Sequence, residues 1–187
     1  MRVASWSRIA TRVRVPLGFG FAAAYWWFSR PKWPWIAGGA VLIVGGIVIR
    51  ALASGHIRKN LGVTTTGPYA YTRNPLYLGS LLIATGFLIA ARNPWIALAA
   101  VLIFLFIYVP VIRAEEKYLM SRFPEYSEYT ARVPRLLPRW PGRRLNSSAE
   151  TEQFSRQLYM KHREYNALVG SVLMMSALIL KMLLVQH

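Results

Sequence analysis

The sequence predicts an all-α, polytopic membrane protein with about five transmembrane helices. Apolar residues make up 55% of the 187 residues and charged residues only 16%, whereas an average soluble domain is ~25% charged. The apolar residues are gathered into five segments, and the basic residues are unevenly distributed between them. A net charge of +16 on so apolar a chain is typical neither of a soluble enzyme nor of a nucleic-acid binder, so no nucleic-acid partner is predicted.

The composition also excludes several kinds of site. The chain has no Cys, which excludes disulfide scaffolds, thiolate metal sites and cysteine nucleophiles. The three histidines, His56, His162 and His187, are far apart in the sequence. We therefore predict no metal site.

Five apolar segments approach the ~20 residues that a membrane-spanning helix needs. They cover residues 15–28, 35–53, 76–91, 94–112 and 167–185. The first and third are short by that standard. Only Arg92 and Asn93 separate the third segment from the fourth, so these two are predicted to form a tight helical hairpin. Pro94 suits the first turn of the second helix of that hairpin.

The basic residues predict the orientation of these segments. With the N-terminus in the cytoplasm, 19 of the 23 Lys and Arg residues fall on the inner side, as the positive-inside rule requires. The C-terminus is then outside. Bulky residues follow the first segment, which we interpret as an uncleaved span rather than a signal peptide. The predicted location is a bacterial or archaeal inner membrane. Tryptophans are expected at the outer helix ends, as an aromatic belt: Trp26, Trp27, Trp33, Trp35 and Trp95.

A stretch rich in Pro, Gly and Ser at 138–151 predicts two parts of the chain. Residues 1–140 are the predicted membrane core. Residues 141–187 contain a linker, an amphipathic segment and an extra C-terminal transmembrane helix of unassigned role.

Within the core, the pairs Gly39/Gly46 and Gly79/Gly86 repeat at seven residues, as do Gly38 and Gly45. Each pair lies on one helix face, which predicts close helix packing.

The first candidate site precedes the third segment. Asn74 and Pro75 are a typical N-cap and first-turn pair, so a helix is predicted to begin there. The free N–H groups of such a helix start attract a carboxylate or a phosphate. Tyrosines and an arginine lie around it: Tyr69, Tyr71, Arg73 and Tyr77. The alternative interpretations are that Asn74 is only a cap and that the tyrosines only anchor the chain at the membrane interface.

The second candidate site lies where the fourth segment leaves the membrane. Adjacent carboxylates at that boundary, Glu115 and Glu116, cost free energy unless cations compensate them. Arg113, Arg132 and Arg135 are candidate partners. Glu128 precedes Arg132 by four residues, so an ordinary surface pair explains part of this pattern. Both candidate sites flank the same hairpin on the predicted cytoplasmic side. A site there is accessible to a cytosolic cofactor and, laterally, to a lipid.

These two clusters resemble the motifs of the superfamily of isoprenylcysteine carboxyl methyltransferases and phospholipid methyltransferases. The resemblance covers about residues 50–140. Asn74 stands where the prenylcysteine branch usually has His, so this position is similar to phospholipid-type and bacterial members. Pro124 replaces a usual Gly. The matching residues are Gly67-Pro68-Tyr69, Tyr71, Arg73-Asn74-Pro75, Tyr77 and Gly79, then Glu115-Glu116, Leu119, Phe123, Tyr126, Tyr129 and Arg132-Val133-Pro134-Arg135.

The resemblance implies methyl transfer from S-adenosylmethionine to a lipophilic acceptor. The cofactor-binding residues it implies are Tyr69, Tyr71, Arg73, Asn74, Pro75, Tyr77 and Gly79. The catalytic residues it implies are Glu115, Glu116, Arg132 and Arg135. Tyrosine faces suit the sulfonium and the adenine, Arg73 suits the cofactor carboxylate, and Glu115 or Glu116 suits its ammonium. Arg132 and Arg135 suit an anionic acceptor, whereas an amine acceptor would need a Glu as general base.

Two other functions stay open at this stage. One is an NADPH-dependent membrane reductase of the sterol or steroid type, a fold-related group. The other is a non-enzymatic protein that binds membrane lipids through its basic inner side. The sequence assigns neither the acceptor, nor whether its reacting atom is O, N or S, nor the oligomeric state.

Overall fold

Helices make up almost all of the ordered structure in the computed structural model, which describes residues 16–57, 62–139 and 154–185. This part of the chain contains no strand, so the predicted all-α class is confirmed. The N-terminal basic tail and most of the predicted linker at 138–151 lie outside the described residues. The helices are α1 (16–28), α2 (Trp33–His56), α3 (Pro75–Ala91), α4 (Pro94–Arg122), α5 (Tyr126–Arg132), α6 (Arg156–Lys161) and α7 (Tyr165–Val185), with a short 3-10 turn at Gly67–Ala70.

Three of these helices are long and apolar enough to cross a membrane, namely α2, α4 and α7. The α3 helix has 17 residues and a length of about 25 Å, so it is short for a span. The total of five spans stays a prediction. The fourth apolar segment ends at residue 112, and α4 continues beyond it to Arg122. It continues because residues 113–122 are mostly polar yet contain no Gly or Pro, so nothing in this stretch breaks the helix.

The α2 and α3 helices pack against each other through the predicted glycine pairs. A Cβ atom on Gly39 would lie 2.3 Å from the carbonyl oxygen of Gly86, and one on Gly46 would lie 2.5 Å from that of Gly79. The backbones therefore approach more closely than any side chain would allow. Gly38 and its heptad partner face open space. The packing prediction is confirmed for the first two pairs and wrong for the third.

One end of the bundle, here called the tryptophan end, collects the end of α1, the start of α2, the α3–α4 turn and the end of α7. The Lys181 ammonium donates to the backbone oxygens of Trp27 (2.8 Å) and Ser29 (2.9 Å), and also to that of Trp26. A cation at the C-terminus of α1 compensates the partial negative charge of its free carbonyls. Asn93 caps α4 by accepting from the Trp95 N–H at 2.9 Å.

The opposite end, here called the Glu116 end, is where α7 begins. The Glu164 carboxylate accepts from the Arg50 guanidinium at 2.6 and 3.0 Å. The Phe154 ring covers Gly55, where a Cβ would lie 2.2 Å from a ring carbon. The Ser155 N–H donates to the Gly55 oxygen at 2.9 Å. The C-terminal segment is thus attached to α2 at this end and to α1 at the other. The division of the chain at residue 140 stays a prediction.

The α4 helix widens into a π-helical turn at Phe104–Tyr108, where the Val109 N–H bonds to the Phe104 oxygen. Pro110 follows immediately. A proline has no N–H and its ring collides with the carbonyl of the preceding turn, so a regular α-helix is unfavourable here. A local π turn relieves that conflict without ending the helix.

Candidate functional site

A buried carboxylate, that of Glu116, is the centre of the candidate site. The α4 helix extends past its apolar segment and places Glu116 beneath the start of α3, where only 4% of the residue is exposed. Adjacent Glu115 lies on the outer side of the same helix and is exposed. The two neighbouring glutamates therefore have different surroundings.

Three side chains from both predicted clusters surround this carboxylate. One oxygen accepts from Arg135 Nε at 2.8 Å. The other accepts from the Asn74 amide at 3.2 Å and lies 3.6 Å from the Arg73 guanidinium. Two guanidinium groups thus face one carboxylate, and the cluster has a surplus positive charge. We call Arg73, Asn74, Glu116 and Arg135 the Glu116 cluster.

Hydrogen bonds to backbone oxygens join the two motif segments beneath the cluster. The Arg73 N–H donates to the Pro134 oxygen at 2.9 Å, and the Asn74 amide donates to the Arg135 oxygen at 2.9 Å. The buried hydroxyl of Thr72 donates to the Leu136 oxygen at 2.9 Å. These bonds satisfy backbone groups of two segments that lack regular structure. They also fix the relative positions of the residues that surround the carboxylate.

The predicted N-cap at Asn74 is only half right. The helix begins at Pro75, as expected, but the Asn74 side chain makes no capping bond. Its amide instead donates to Glu116 and to the Arg135 backbone. A hydrogen bond to a buried carboxylate is about twice as strong as a neutral one, so the amide is directed towards the charge rather than back onto its own helix.

Three buried tyrosines form the wall behind the cluster. The Tyr129 hydroxyl donates to the backbone oxygen of Tyr69 at 2.7 Å, and the centre of the Tyr129 ring lies 5.7 Å from that of the Tyr126 ring. Burial raises the pKa of all three phenols above the usual value, because an ionised phenolate would be desolvated there. These tyrosines are therefore neutral groups that shape the site.

A second polar contact lies at the mouth of an apolar cavity. The Tyr77 hydroxyl donates to the Glu115 carboxylate at 3.1 Å, and the Tyr77 ring meets that of Tyr108 edge to face. The cavity is about 310 Å³ in volume. It lies between α1, α3 and the π turn of α4 and is lined almost entirely by apolar side chains. A polar mouth over an apolar interior suits an amphiphilic ligand.

The remaining predicted site residues lie around the cluster rather than in it. Arg132 pairs with Glu128 at the surface, where the two side chains are 57% and 68% exposed. Tyr71 is exposed, and its backbone oxygen accepts from the Arg139 N–H. Gly79 lies in the α2–α3 contact. A surface cavity of about 400 Å³ adjoins the cluster and is lined by three arginines: Arg73, Arg132 and Arg139.

Several residues that the structure brings to this end were not predicted from the sequence. Thr72 is fully buried and joins the two segments, but a threonine in a loop gives no distinctive signal. Arg50 donates to the Ser80 hydroxyl and to the Leu76 oxygen as well as to Glu164. It is the one charged residue of its apolar segment, and that is a signal in itself, since a charge inside a span requires a partner.

The comparisons with known proteins agree with this arrangement. Residues 35–126 match the family described as phospholipid methyltransferase. That stretch contains α2, the α3–α4 hairpin and three members of the Glu116 cluster. Over these residues the chain belongs to the superfamily of integral membrane methyltransferases that includes the isoprenylcysteine and phospholipid enzymes. The resemblance inferred from the two motifs is confirmed.

Two relatives carry names from metal resistance. The chain is 34% identical over 149 residues to the cobalt-zinc-cadmium resistance protein CzcN of Cupriavidus metallidurans, covering 74% of this chain and 64% of the relative. It is 35% identical over 115 residues to the nickel-cobalt-cadmium resistance protein NccN of Alcaligenes xylosoxydans xylosoxydans, covering 56% and 53%. The chain thus spans somewhat more than half the length of these relatives. No solved structure matches the chain.

Proposed function

We propose that the protein transfers a methyl group from S-adenosylmethionine to a lipophilic acceptor at the cytoplasmic face of a membrane. The observation that carries this proposal is the Glu116 cluster. It brings the two motif segments of a methyltransferase family into contact, and Tyr77, three residues after Asn74, lines an apolar cavity.

The residues of the cluster fit the amino-acid end of this cofactor. Two guanidinium groups face one carboxylate, so the cluster can accept a second carboxylate without unpaired negative charge. Within the described residues, Arg73 Nε is buried and has no hydrogen-bond partner. An orphaned donor of this kind costs free energy unless a ligand satisfies it. When bound, the cofactor supplies an electrophilic methyl group on a sulfonium.

In this proposal the role of the chain is to position the reactants and exclude water. Arg73 binds the carboxylate of the cofactor. Glu116 holds Arg73 in place and is the candidate partner for the ammonium of the cofactor. Arg135 and Asn74 orient Glu116. Tyr71 and Tyr77 offer aromatic faces to a sulfonium or an adenine. A direct methyl transfer then depends mainly on holding the two reactants in line in a dry site.

The acceptor is proposed to enter from the bilayer into the apolar cavity beside Tyr77. The cavity walls select for apolar length rather than for a particular head group, so acceptors with a reacting O, N or S atom all fit. For an amine acceptor, Glu115 is the proposed general base, because the Tyr77 hydroxyl holds it at the cavity mouth. For an anionic acceptor, Arg132 and Arg135 are the proposed partners.

The decisive experiment is methyl labelling. Membranes containing the protein are incubated with methyl-labelled S-adenosylmethionine, and the labelled lipids are separated and identified. Since relatives are named for metal resistance, lipids from cells grown with and without cobalt, zinc or cadmium should be compared. A labelled lipid that disappears in Arg73→Gln supports the proposal. Binding of NADPH instead of S-adenosylmethionine would favour the reductase, and no labelled product from any extract would favour a non-enzymatic lipid-binding protein.

A further inference from the structure

Four basic side chains line one cavity at the tryptophan end of the bundle. They come from three distant parts of the chain: the α1–α2 loop, the α3–α4 turn and the last turns of α7. The predicted orientation leaves only four basic residues on the outer side, and the structure brings all four together. They are Arg30, Lys32, Arg92 and Lys181.

No carboxylate compensates these charges in the part of the chain that the structure describes. None of the four basic side chains forms an ion pair there. All seven glutamates lie between positions 115 and 164. Those with ion-pair partners are found at the Glu116 end or on α5. Like charges that share a cavity repel each other, and a bound anion would relieve that repulsion.

The four residues divide into structural and available cations. Lys181 directs its ammonium onto three backbone oxygens at the end of α1, so its hydrogen-bonding capacity is used by the protein. Arg92 lies 5.5 Å from the centre of the Trp35 ring, a cation–π contact that orients the guanidinium. Arg30 and Lys32 are exposed beside it. Three cations can therefore donate to a ligand, and the fourth adds charge.

The position of the cavity indicates the source of the anion. Exposed tryptophans surround this end of the bundle, with Trp27 at 72% and Trp95 at 76% exposure. Tryptophan side chains concentrate at the level of the lipid head groups. The cavity is about 450 Å³ in volume, and its lining includes the apolar Pro31 and Met182 beside the four cations. A basic cavity between transmembrane helices at that depth is suited to a lipid phosphate.

We propose that this cavity binds the head group of an anionic phospholipid, with Arg30, Lys32 and Arg92 contacting the phosphate. The site lies in the leaflet opposite the Glu116 cluster and does not depend on the proposed methyl transfer. Lys181 contributes its positive charge to the cavity without contacting the phosphate.

The test is a lipid titration of the purified protein in neutral detergent, followed by native mass spectrometry. Phosphatidylglycerol is expected to bind at least tenfold more tightly than phosphatidylcholine. The variant R30Q/K32Q/R92Q is expected to lose about tenfold in affinity for phosphatidylglycerol. The matched control R113Q/K117Q/R122Q removes three exposed cations from α4 at the other end and is expected to change the affinity less than twofold.

Equal losses in the two triple variants would overturn the proposal, as would equal binding of the two lipids. Each variant is first shown to unfold at the temperature of the unmodified protein. If the triple variant is unstable, the single substitution Arg30→Gln is measured instead. It is expected to lower the affinity for phosphatidylglycerol about threefold, and an unchanged affinity would contradict the proposal. Millimolar glycerol 3-phosphate should not displace the lipid. Displacement at micromolar concentration would identify a soluble phosphate as the ligand and overturn the lipid assignment.

Discussion

Neutralising the buried carboxylate of Glu116 should destabilise the protein far more than neutralising an exposed one. In Glu116→Gln, the Arg73 side chain, which is 11% exposed, loses the one carboxylate that it faces among the described residues. Removing one member of a buried ion pair costs ~3–5 kcal/mol. The Arg135 side chain is 50% exposed, so water screens that half of the interaction and it adds little. The expected loss is about 3 kcal/mol, roughly a 100-fold shift in the unfolding equilibrium.

Glu128→Gln is the matched control for this prediction. It also removes a carboxylate that is paired with an arginine, but the two side chains are 68% and 57% exposed. Exposed pairs of this kind contribute ~0–1 kcal/mol. Both variants are unfolded by a denaturant titration in detergent micelles, and their transition midpoints and slopes are compared. Equal, small losses in the two variants would refute the idea that the Glu116 cluster is a buried, charge-dependent structure.

Three further predictions concern packing, pH and the C-terminal helix. Gly46→Ala should lower the free energy of unfolding by about 1–3 kcal/mol, because the added Cβ collides with α3. Gly45 faces open space, so Gly45→Ala should not lower the free energy of unfolding in the same denaturant titration. Burial raises the pKa of Tyr129, so the contribution of this residue to stability should be constant below pH ~10 and fall above it, because the phenol ionises first in the unfolded chain. The absorbance of tyrosinate, recorded during unfolding at each pH, measures this ionisation. In Glu164→Gln, Arg50 loses the carboxylate that accepts its hydrogen bonds. A protease should then cleave α7 at least tenfold faster than in the unmodified protein.

The sequence predicted the parts of the fold that depend on local chemistry. Apolar length and the Asn93-Pro94 pair placed the hairpin, and α3 and α4 begin where expected. The glycine repeats predicted faces for close helix packing, because a seven-residue spacing returns to the same helix face, and the structure shows that two of these faces meet between α2 and α3. The end of α4 was not predicted, because the apolar segment ends at residue 112 whereas the helix continues through mostly polar residues to Arg122.

The candidate site was predicted as a set of residues but not as a geometry. Both glutamates carried equal weight in the sequence, yet only Glu116 is buried, because the rotation of α4 turns one towards α3 and its neighbour outwards. Arg132 and Arg135 were likewise equivalent, and the helix end at Val133 separates them. The contact of Arg50 with Glu164 joins residues 114 positions apart, and no local pattern predicts such a pair.

Isothermal calorimetry with S-adenosylmethionine measures whether Arg73 in the Glu116 cluster binds the cofactor, as proposed. The purified protein in detergent is expected to bind with micromolar to millimolar affinity. Arg73→Gln should weaken binding at least tenfold, which corresponds to about 1.4 kcal/mol. The control is Arg122→Gln, which changes an exposed residue at the end of the same helix as Glu116 and should bind the cofactor as the unmodified protein does. No binding by the unmodified protein over that range, or equal binding by both variants, would contradict the claim.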